Sequence, residues 1–267
     1  MTPWKGKWAL VTGASAGIGA ALARELAAGG ANLVLTARRT DRLQALAREL
    51  AVTYKISAEM FPADLAQPNA PEEILAFTLG KRIEIDVLIN NAGFGKYGQF
   101  TNADTKRLLE MVQVNCAAVV HLSRLYLPDM ANRRRGYVMI VASTASFQGV
   151  PYLSTYAATK AFDLILAEGL AEEMMPYGVH VCALCPGSTE SEFSEVAGQS
   201  ALAASRRNRE TAEKVAHVGL KALASGKSYV ISGMGNYLGA HSQRLVPRGW
   251  VTRIAARLFR PEPSKTA

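Results

Sequence analysis

The sequence predicts a doubly wound α/β fold, in which helices cover both faces of a parallel sheet of about seven strands. Short apolar runs recur along the chain, and stretches with helical apolar spacing lie between them. Strand–helix–strand units of this kind form right-handed parallel crossovers. Because no repeat or low-complexity linker interrupts the pattern, we expect one domain over 1–240, followed by a basic tail over 241–267.

In the first half of the chain, each predicted strand is a short apolar run that ends at a glycine or a polar residue. The first helix stops at a glycine pair, and the second carries its leucines on one face. In order, we predict strand 8–12, helix 17–28, strand 32–36, helix 41–50, strand 54–62 and strand 85–89.

The second half continues with two long helices. A basic triplet and a glycine end the first of them, and a proline and a glycine end the second. In order, we predict helix 105–130, strand 137–142, helix 155–175, strand 179–184 and strand 228–231. We expect residues 188–215 to form a loop–helix insertion after the strand at 179–184.

Composition excludes several classes of protein. Apolar residues make up 49% of the chain and charged residues 19%, which is typical of a globular protein and not of a disordered one. We find no apolar run of the roughly 18 residues that a membrane span needs, and no signal-peptide core at the start. Three cysteines argue against a disulfide scaffold. We therefore expect a cytoplasmic protein.

The formal charge of +8 is concentrated at one end of the chain. Residues 1–200 hold 18 Lys and Arg against 19 Asp and Glu, whereas 201–267 hold 12 against 3. Within 250–260, one helical face carries apolar residues and another carries arginines. We expect this helix either to pack on a subunit or over the substrate cleft, or to lie in a membrane surface. The tail has no known nucleic-acid recognition module.

A glycine cluster follows the first predicted strand, in the segment Thr12-Gly-Ala-Ser-Ala-Gly-Ile-Gly19. Gly13, Gly17 and Gly19 would allow the tight turn and close backbone approach that a pyrophosphate needs, with the anion at the helix N-terminus. The alternative is an ordinary glycine-rich turn. The strand–turn–helix context favours a dinucleotide site and hence a sheet of the Rossmann type.

The end of the second strand indicates which dinucleotide binds. Binders of NAD usually carry an acid there for the ribose 2′-hydroxyl, but this chain has Arg38 and Arg39. Guanidinium groups suit a 2′-phosphate, so we favour NADP(H) over NAD(H), with Arg38 the stronger candidate. The alternative is that both are solvated charges at the start of a helix.

A candidate catalytic pair lies in the second long helix. Tyr156 and Lys160 are four residues apart and therefore share one face. A phenol with a pKa near 10 is a poor acid–base group, but a neighbouring ammonium would lower that value. Ser143 ends the fifth strand, where its hydroxyl could bind a substrate oxygen.

Taken together, these motifs resemble the classical short-chain dehydrogenases/reductases over residues 5 to 240. The glycine cluster, Asn90-Asn-Ala-Gly93, Asn115, Ser143, Tyr156-x3-Lys160 and Pro186-Gly187 have that family's order and spacing. The resemblance implies an oxidoreductase with a nicotinamide cofactor and a homodimer or homotetramer. Where relatives often read Pro-Gly-Pro-x-x-Thr, this chain has Ser188 and Ser191, which puts that nicotinamide contact in doubt.

The resemblance also implies roles for individual residues. Tyr156 would exchange a proton with the substrate, Lys160 would hold the nicotinamide ribose, and Ser143 would polarise the carbonyl. Asn115 would hold a water that links Lys160 to solvent. The implied cofactor-binding residues are Gly13, Ser15, Ala16, Gly17, Ile18, Gly19, Arg38, Arg39, Asp64, Leu65, Asn91, Ala92, Gly93, Tyr156, Lys160, Pro186, Gly187, Thr189 and Ser191.

The remaining polar motifs favour packing over chemistry. Cys182 and Cys185 lie three apart on a predicted strand, so they face opposite sides and are expected in the core. The four histidines show no metal-ligand spacing, and we expect no metal.

The predicted activity is hydride transfer between NADP(H) and a hydrophobic ketone, aldehyde or secondary alcohol. The residues expected to make the cleft apolar are Phe94, Tyr97, Phe147, Val150, Tyr152, Leu153 and Phe193. The alternatives are a non-catalytic nucleotide sensor on the same fold and a reductase bound to a membrane surface.

Overall fold

All seven predicted strands are present in the computed structural model, which describes residues 3–198 and 209–261. They are β1 (Trp8–Thr12), β2 (Asn32–Thr36), β3 (Ala58–Met60), β4 (Ile85–Asn90), β5 (Gly136–Val141), β6 (Val179–Cys185) and β7 (Tyr229–Ile231). They pair in parallel in the order β3-β2-β1-β4-β5-β6-β7. This arrangement confirms the predicted fold class. The winding reverses between β1 and β4, and ligands bind at such a switch point.

Helices cover both faces of the sheet. The α-helices of the described residues are α1 (Gly17–Ala28), α2 (Thr40–Tyr54), α3 (Ala70–Gly80), α4 (Thr105–Val112), α5 (Ala118–Asn132), α6 (Ser154–Met174), α7 (Phe193–Val196), α8 (Ala212–Ala224), α9 (Met234–Ser242) and α10 (Arg248–Leu258). Successive side chains of β1 point to opposite faces of the sheet, so the core has two parts. Ala9 and Val11 pack with α1, α2 and α8 on one face, and Leu10 packs with α3, α5 and α6 on the other.

Several predicted boundaries need correction. Helix α2 continues to Tyr54 and ends where Lys55 adopts a left-handed φ of 55°, so β3 begins at Ala58 and not at residue 54. Helices α3, α8 and α9 were not predicted, although Pro71 and two glutamates in the first turn of α3 are typical helix-start signals. Helix α8 begins at Ala212, within the predicted loop–helix insertion at 188–215, and residues 199–208 of that insertion lie outside the described part.

The predicted long helix over 105–130 is interrupted by a π-helical turn at Gln113–Ala117. There the Ala118 N–H bonds to the Gln113 carbonyl, one residue beyond the α-helical partner. Such wide turns are rare and are found mostly at functional sites. This one contains Asn115, a predicted site residue.

The predicted tail helix corresponds to α10, and residues 262–267 lie outside the described part. Ala255 of this helix is buried, whereas Trp250 is 63% exposed and so does not pack as the predicted apolar stripe requires. Among residues 3–198 and 209–261, no helix combines the length and the apolar character needed to cross a bilayer. The division at residue 240 stays a prediction.

Candidate active site

A cavity of about 940 Å³ lies at the carboxyl ends of the strands. It extends from the glycine turn after β1 to α10. The predicted site residues that line it are Gly13, Ser15, Ala16, Gly17, Ile18, Arg38, Arg39, Asp64, Leu65, Asn91, Ala92, Gly93, Ser143, Tyr156, Lys160, Pro186, Gly187, Thr189 and Ser191. Two predicted residues, Gly19 and Asn115, stand behind this lining.

The glycine turn is shaped by close contacts. Gly13 has a φ of +65°, and a Cβ there would lie 2.8 Å from the Asn91 amide nitrogen. A Cβ at Gly19 would lie 2.4 Å from the same atom, so Gly19 is required for packing beneath the turn. No side chain caps α1, whose first residues Gly17 and Ile18 line the cavity. This uncapped end is suited to bind an anion.

Hydrogen bonds join the segment after β4 to the end of β1. The Asn91 side-chain amide donates to the Thr12 carbonyl at 2.8 Å. The Thr12 hydroxyl oxygen accepts from the backbone of Asn91 and of Ala92, each at 3.0 Å. The Asn91 side chain is therefore committed to holding the sheet edge, while Ala92 and Gly93 line the cavity.

The far end of the cavity is cationic. Arg38 is exposed and makes no hydrogen bond or ion pair with another described residue. Arg39 donates from Nε to the Ser15 hydroxyl at 3.2 Å. Nearby, Asp64 uses Oδ1 to accept from the Ala66 N–H, and the Thr36 hydroxyl is buried without a partner. The uncapped helix, the two guanidiniums and this unpaired hydroxyl fit a phosphorylated dinucleotide.

At the middle of the cavity, Tyr156 and Lys160 lie one turn apart on α6, with 9% and 5% of their surfaces exposed. The Lys160 ammonium donates to the Val141 carbonyl at 2.7 Å and to Asp163 Oδ2 at 2.9 Å. These two bonds leave one of its three protons for the cavity. Sequence reasoning overlooked Asp163, although an acid three residues after a lysine on a helix is a recognisable pair.

Burial sets the direction of the pKa shift for Tyr156 and Asp163, but not for Lys160. It raises the pKa of Tyr156, and the Lys160 charge and the Ser143 hydroxyl oppose that rise without cancelling it. Burial would lower the pKa of Lys160, but Asp163 and Tyr156 raise it above its ordinary value. Burial also raises the pKa of Asp163, against the effect of Lys160. Lys160 therefore lowers the pKa of the Tyr156 phenol, as predicted, but burial raises that pKa by more.

Ser143 is held at the start of the turn after β5. Its hydroxyl oxygen accepts from the Ala145 N–H at 3.1 Å, which leaves the hydroxyl proton available to a substrate oxygen. The Ser146 hydroxyl donates to the Lys160 carbonyl at 2.7 Å. This bond ties the turn to α6 and sets Ser143 against the Tyr156 helix.

Asn115 is fully buried and braces the cavity wall from behind. Its side-chain nitrogen donates to the Phe94 carbonyl at 3.0 Å and to the Thr159 hydroxyl at 2.9 Å. Its oxygen accepts from the Phe94 N–H at 3.1 Å. A Cβ at Gly93 would be 3.2 Å from this oxygen and 3.4 Å from the Lys160 nitrogen, so Asn115 and Lys160 are neighbours.

Apolar side chains enclose the other side of Tyr156. The Phe193 ring lies 5.1 Å from the Tyr156 ring, centroid to centroid. The α10 region covers the cavity, and the Tyr97 hydroxyl donates to the Phe259 carbonyl at 2.8 Å. Of the predicted apolar lining, Phe94, Val150, Leu153 and Phe193 line the cavity, whereas Tyr97, Phe147 and Tyr152 do not.

Sequence reasoning missed part of this wall. The Arg107 guanidinium lies 3.8 Å above the Phe94 ring, at the edge of the cavity. Val251, Ile254 and Ala255 of α10 also line the cavity, whereas Trp250 of the predicted apolar face does not. The apolar spacing of α10 was the available signal, but it carried no information on which surface the helix would cover.

The cysteines lie in the core. Cys182 and Cys185 belong to the clusters on opposite faces of the sheet, and burial raises the pKa of Cys182 to about 12. Across the described ranges, no group of three or more His, Cys, Asp or Glu side chains could hold a metal ion.

Known proteins share this chain's sequence and fold. A very-long-chain 3-oxoacyl-CoA reductase of Phaeosphaeria nodorum is 34% identical over 202 residues, which are 74% of this chain and 59% of that protein. A short-chain dehydrogenase from Sphingobium yanoikuyae, solved with NADPH, has a TM-score of 0.82 at 28% identity and 98% coverage of both chains. A 7β-hydroxysteroid dehydrogenase structure has a TM-score of 0.84 at 27% identity, covering 94% of this chain and 97% of that one.

The chain spans about three fifths of the length of the curated relatives that it matches. The family model described as short chain dehydrogenase matches residues 7–202, from the strand before the glycine turn to beyond the Tyr156 helix. Because this match covers most of the chain and every element that builds the cavity's reactive centre, the protein belongs to the short-chain dehydrogenase family.

Proposed function

We propose that this chain is an NADP(H)-dependent oxidoreductase that interconverts a hydrophobic carbonyl compound and its secondary alcohol. The observation that carries the proposal is the buried Tyr156–Lys160 pair, which faces a cavity with a cationic nucleotide end and an apolar end. The relative described as a 3-oxoacyl-CoA reductase and the hydroxysteroid dehydrogenase structure support a bulky apolar substrate. The NADPH complex of the Sphingobium protein supports the cofactor.

In the direction of reduction, Tyr156 donates its phenolic proton to the substrate oxygen. The Ser143 hydroxyl donates a hydrogen bond to that same oxygen and polarises the carbonyl. The free proton of the Lys160 ammonium binds the nicotinamide ribose, and the lysine charge stabilises the phenolate. When bound, the nicotinamide supplies the hydride that the carbonyl carbon accepts. Asn115 supports this group by bracing residue 94 beside Lys160 and by holding a water that links Lys160 to solvent.

The remaining cavity residues would hold the dinucleotide. The N-terminus of α1 and the glycine turn bind the pyrophosphate. Asp64 contacts the adenine, and Arg38 grips the 2′-phosphate. Pro186 and Gly187 would contact the nicotinamide, and the oxygens of the Thr189 and Ser191 hydroxyls would face its amide.

A panel of carbonyl compounds, followed by NADPH oxidation, tests the activity. We expect turnover of aromatic, steroid-like or acyl ketones and little turnover of small sugars, because the lining beside Tyr156 is apolar. A protein that binds NADPH but turns over none of the panel would instead be a non-catalytic sensor.

Arg38→Ala is expected to weaken NADPH binding by roughly 10- to 100-fold, because a charge-assisted phosphate contact is lost. NADH binding should change little, because NADH has no 2′-phosphate. Fluorescence titration of both nucleotides measures the effect. Arg48→Ala is the matched control, since this arginine is exposed on α2 outside the cavity. Equal losses for both nucleotides, or none, would contradict the role of Arg38.

The proposed partners are the small substrate and further copies of the chain. Phe162 and Ile165 are 42% and 67% exposed on α6 and support a homodimer or homotetramer. The outward side of α10, with Trp250 and Arg253, supports the alternative of an anionic lipid surface. Cosedimentation with anionic vesicles tests that alternative. We propose the cytoplasm as the location.

A further inference from the structure

The Glu192 carboxylate is shared between two arginines at the nucleotide end of the cavity. Its Oε2 lies 2.6 Å from Arg39 Nη1, and its Oε1 lies 2.5 Å from Arg42 Nη1. Glu192 follows β6, whereas both arginines lie at the start of α2, so residues about 150 positions apart are joined. Glu192 and Arg39 both line the cavity.

The same contact brings the segment after β6 across the glycine turn. Arg39 Nε and Nη2 donate to the Ser15 hydroxyl at 3.2 and 3.1 Å, on the opposite side from Glu192. A Cβ at Gly17 would lie 3.0 Å from the Ser191 Cβ. The guanidinium of Arg39 therefore links the turn that would hold the pyrophosphate to the segment that would cover it.

The Glu192 carboxylate is an anion that already occupies part of the cationic end of the cavity. The Arg42 and Arg39 hydrogen bonds lower the pKa of Glu192, so its carboxylate is ionised at neutral pH. Carboxylate and phosphate oxygens bind the same guanidinium donors. A 2′-phosphate held by Arg38 would meet the charge of Glu192 and would compete with it for Arg39. A nucleotide with a 2′-hydroxyl meets no such repulsion.

We propose that Glu192 limits the preference for NADP(H) over NAD(H) by occupying the guanidinium of Arg39. This inference rests on the proposed function, because it concerns the same nucleotide site. Arg38, which has no partner among the described residues, supplies the attraction for the phosphate. Glu192 reduces the net attraction for the 2′-phosphate. The preference for NADP(H) therefore depends on the difference between the attraction by Arg38 and the repulsion by Glu192.

Glu192→Gln tests this role, because the amide keeps the shape of the side chain and removes its charge. Dissociation constants for NADPH and NADH are measured by fluorescence on the full chain. We expect the ratio of the NADH constant to the NADPH constant to rise roughly three- to tenfold, the size expected for one or two half-exposed ion pairs. Glu192→Ala should shift the ratio in the same direction. Added salt should reduce the difference between wild type and variant.

Glu195→Gln is the matched control. Glu195 belongs to the same segment, is exposed, and makes no ion pair with another described residue, so its neutralisation changes the total charge equally. A ratio that stays constant or falls in Glu192→Gln, or that rises equally in Glu195→Gln, overturns the inference. The proposed function survives that result, because wild type would still bind NADPH. If wild type binds neither nucleotide, the proposed function and the inference both fail.

Discussion

Tyr156→Phe is expected to reduce kcat by about 10²- to 10⁴-fold, the usual contribution of a positioned proton donor. The change removes one oxygen and no bulk, so the ring stays packed against Phe193. NADPH binding should stay within about twofold of wild type. The reason is that the glycine turn and Arg38, and not the phenol, would provide most of the affinity for the nucleotide. Single-turnover oxidation of NADPH and a fluorescence titration measure the two quantities.

Tyr177→Phe is the control for the loss of a tyrosine hydroxyl. Tyr177 is 44% exposed and lies outside the cavity lining, so its replacement should leave kcat unchanged. If Tyr156→Phe retains most of the wild-type kcat, then Tyr156 is not the proton donor. Loss of NADPH binding with turnover would instead indicate that the phenol supports the nucleotide.

Lys160→Met is expected to lower the free energy of unfolding by about 3–5 kcal/mol, besides abolishing turnover. The reason is the carboxylate of Asp163, whose side chain is 1% exposed and pairs with the Lys160 ammonium at 2.9 Å. Removing the lysine leaves that charge buried without a counterion. Urea denaturation followed by circular dichroism measures the loss.

The double variant Lys160→Met/Asp163→Asn separates the charge effect from the loss of the lysine side chain. With no buried carboxylate, more than half of the lost stability should return. Activity should stay abolished, because the double variant still lacks the ammonium that we propose binds the nicotinamide ribose and stabilises the phenolate. A double variant as unstable as Lys160→Met would show that the lysine stabilises the fold by packing and not by pairing.

The stability of Lys160→Met should also depend on pH. Burial raises the pKa of Asp163 even beside Lys160, and without the lysine nothing opposes that rise. A carboxyl whose folded pKa exceeds its unfolded value contributes its full stability below the unfolded pKa, and that contribution is lost as the pH rises through the folded pKa. The variant should therefore become more stable relative to wild type between about pH 7 and about pH 5. A constant difference would contradict an ionised Asp163.

The arrangement of strands could be predicted because each strand has a local signature. β1 and β2 begin and end where their apolar runs do, and parallel pairing follows from the crossovers between them. The predicted boundaries of strands and helices were wrong where a residue suits either kind of element. Tyr54 suits a strand by its aromatic ring, yet it extends the leucine face of α2 by one more turn.

The grouping of Tyr156, Lys160 and Ser143 could also be predicted from the sequence. Tyr156 and Lys160 share a face because a helix repeats every 3.6 residues, and Ser143 lies at the same sheet edge because it follows a parallel strand. The burial of Tyr156 could not be predicted from the sequence in this way. The direction of the Tyr156 pKa depends on how completely Phe193 and the surrounding walls exclude water, which is a tertiary property.

The sequence by itself therefore determined the sheet, the shared helical face of Tyr156 and Lys160, and the charge at the end of β2. The tertiary structure alone decided that α10 covers the substrate side, that Asp163 is buried against Lys160, and that Glu192 reaches Arg39. The physical reason is the distance along the sequence between the residues that interact. Backbone periodicity relates residues a few positions apart, whereas contacts between distant segments depend on how the packed layers bring loops together.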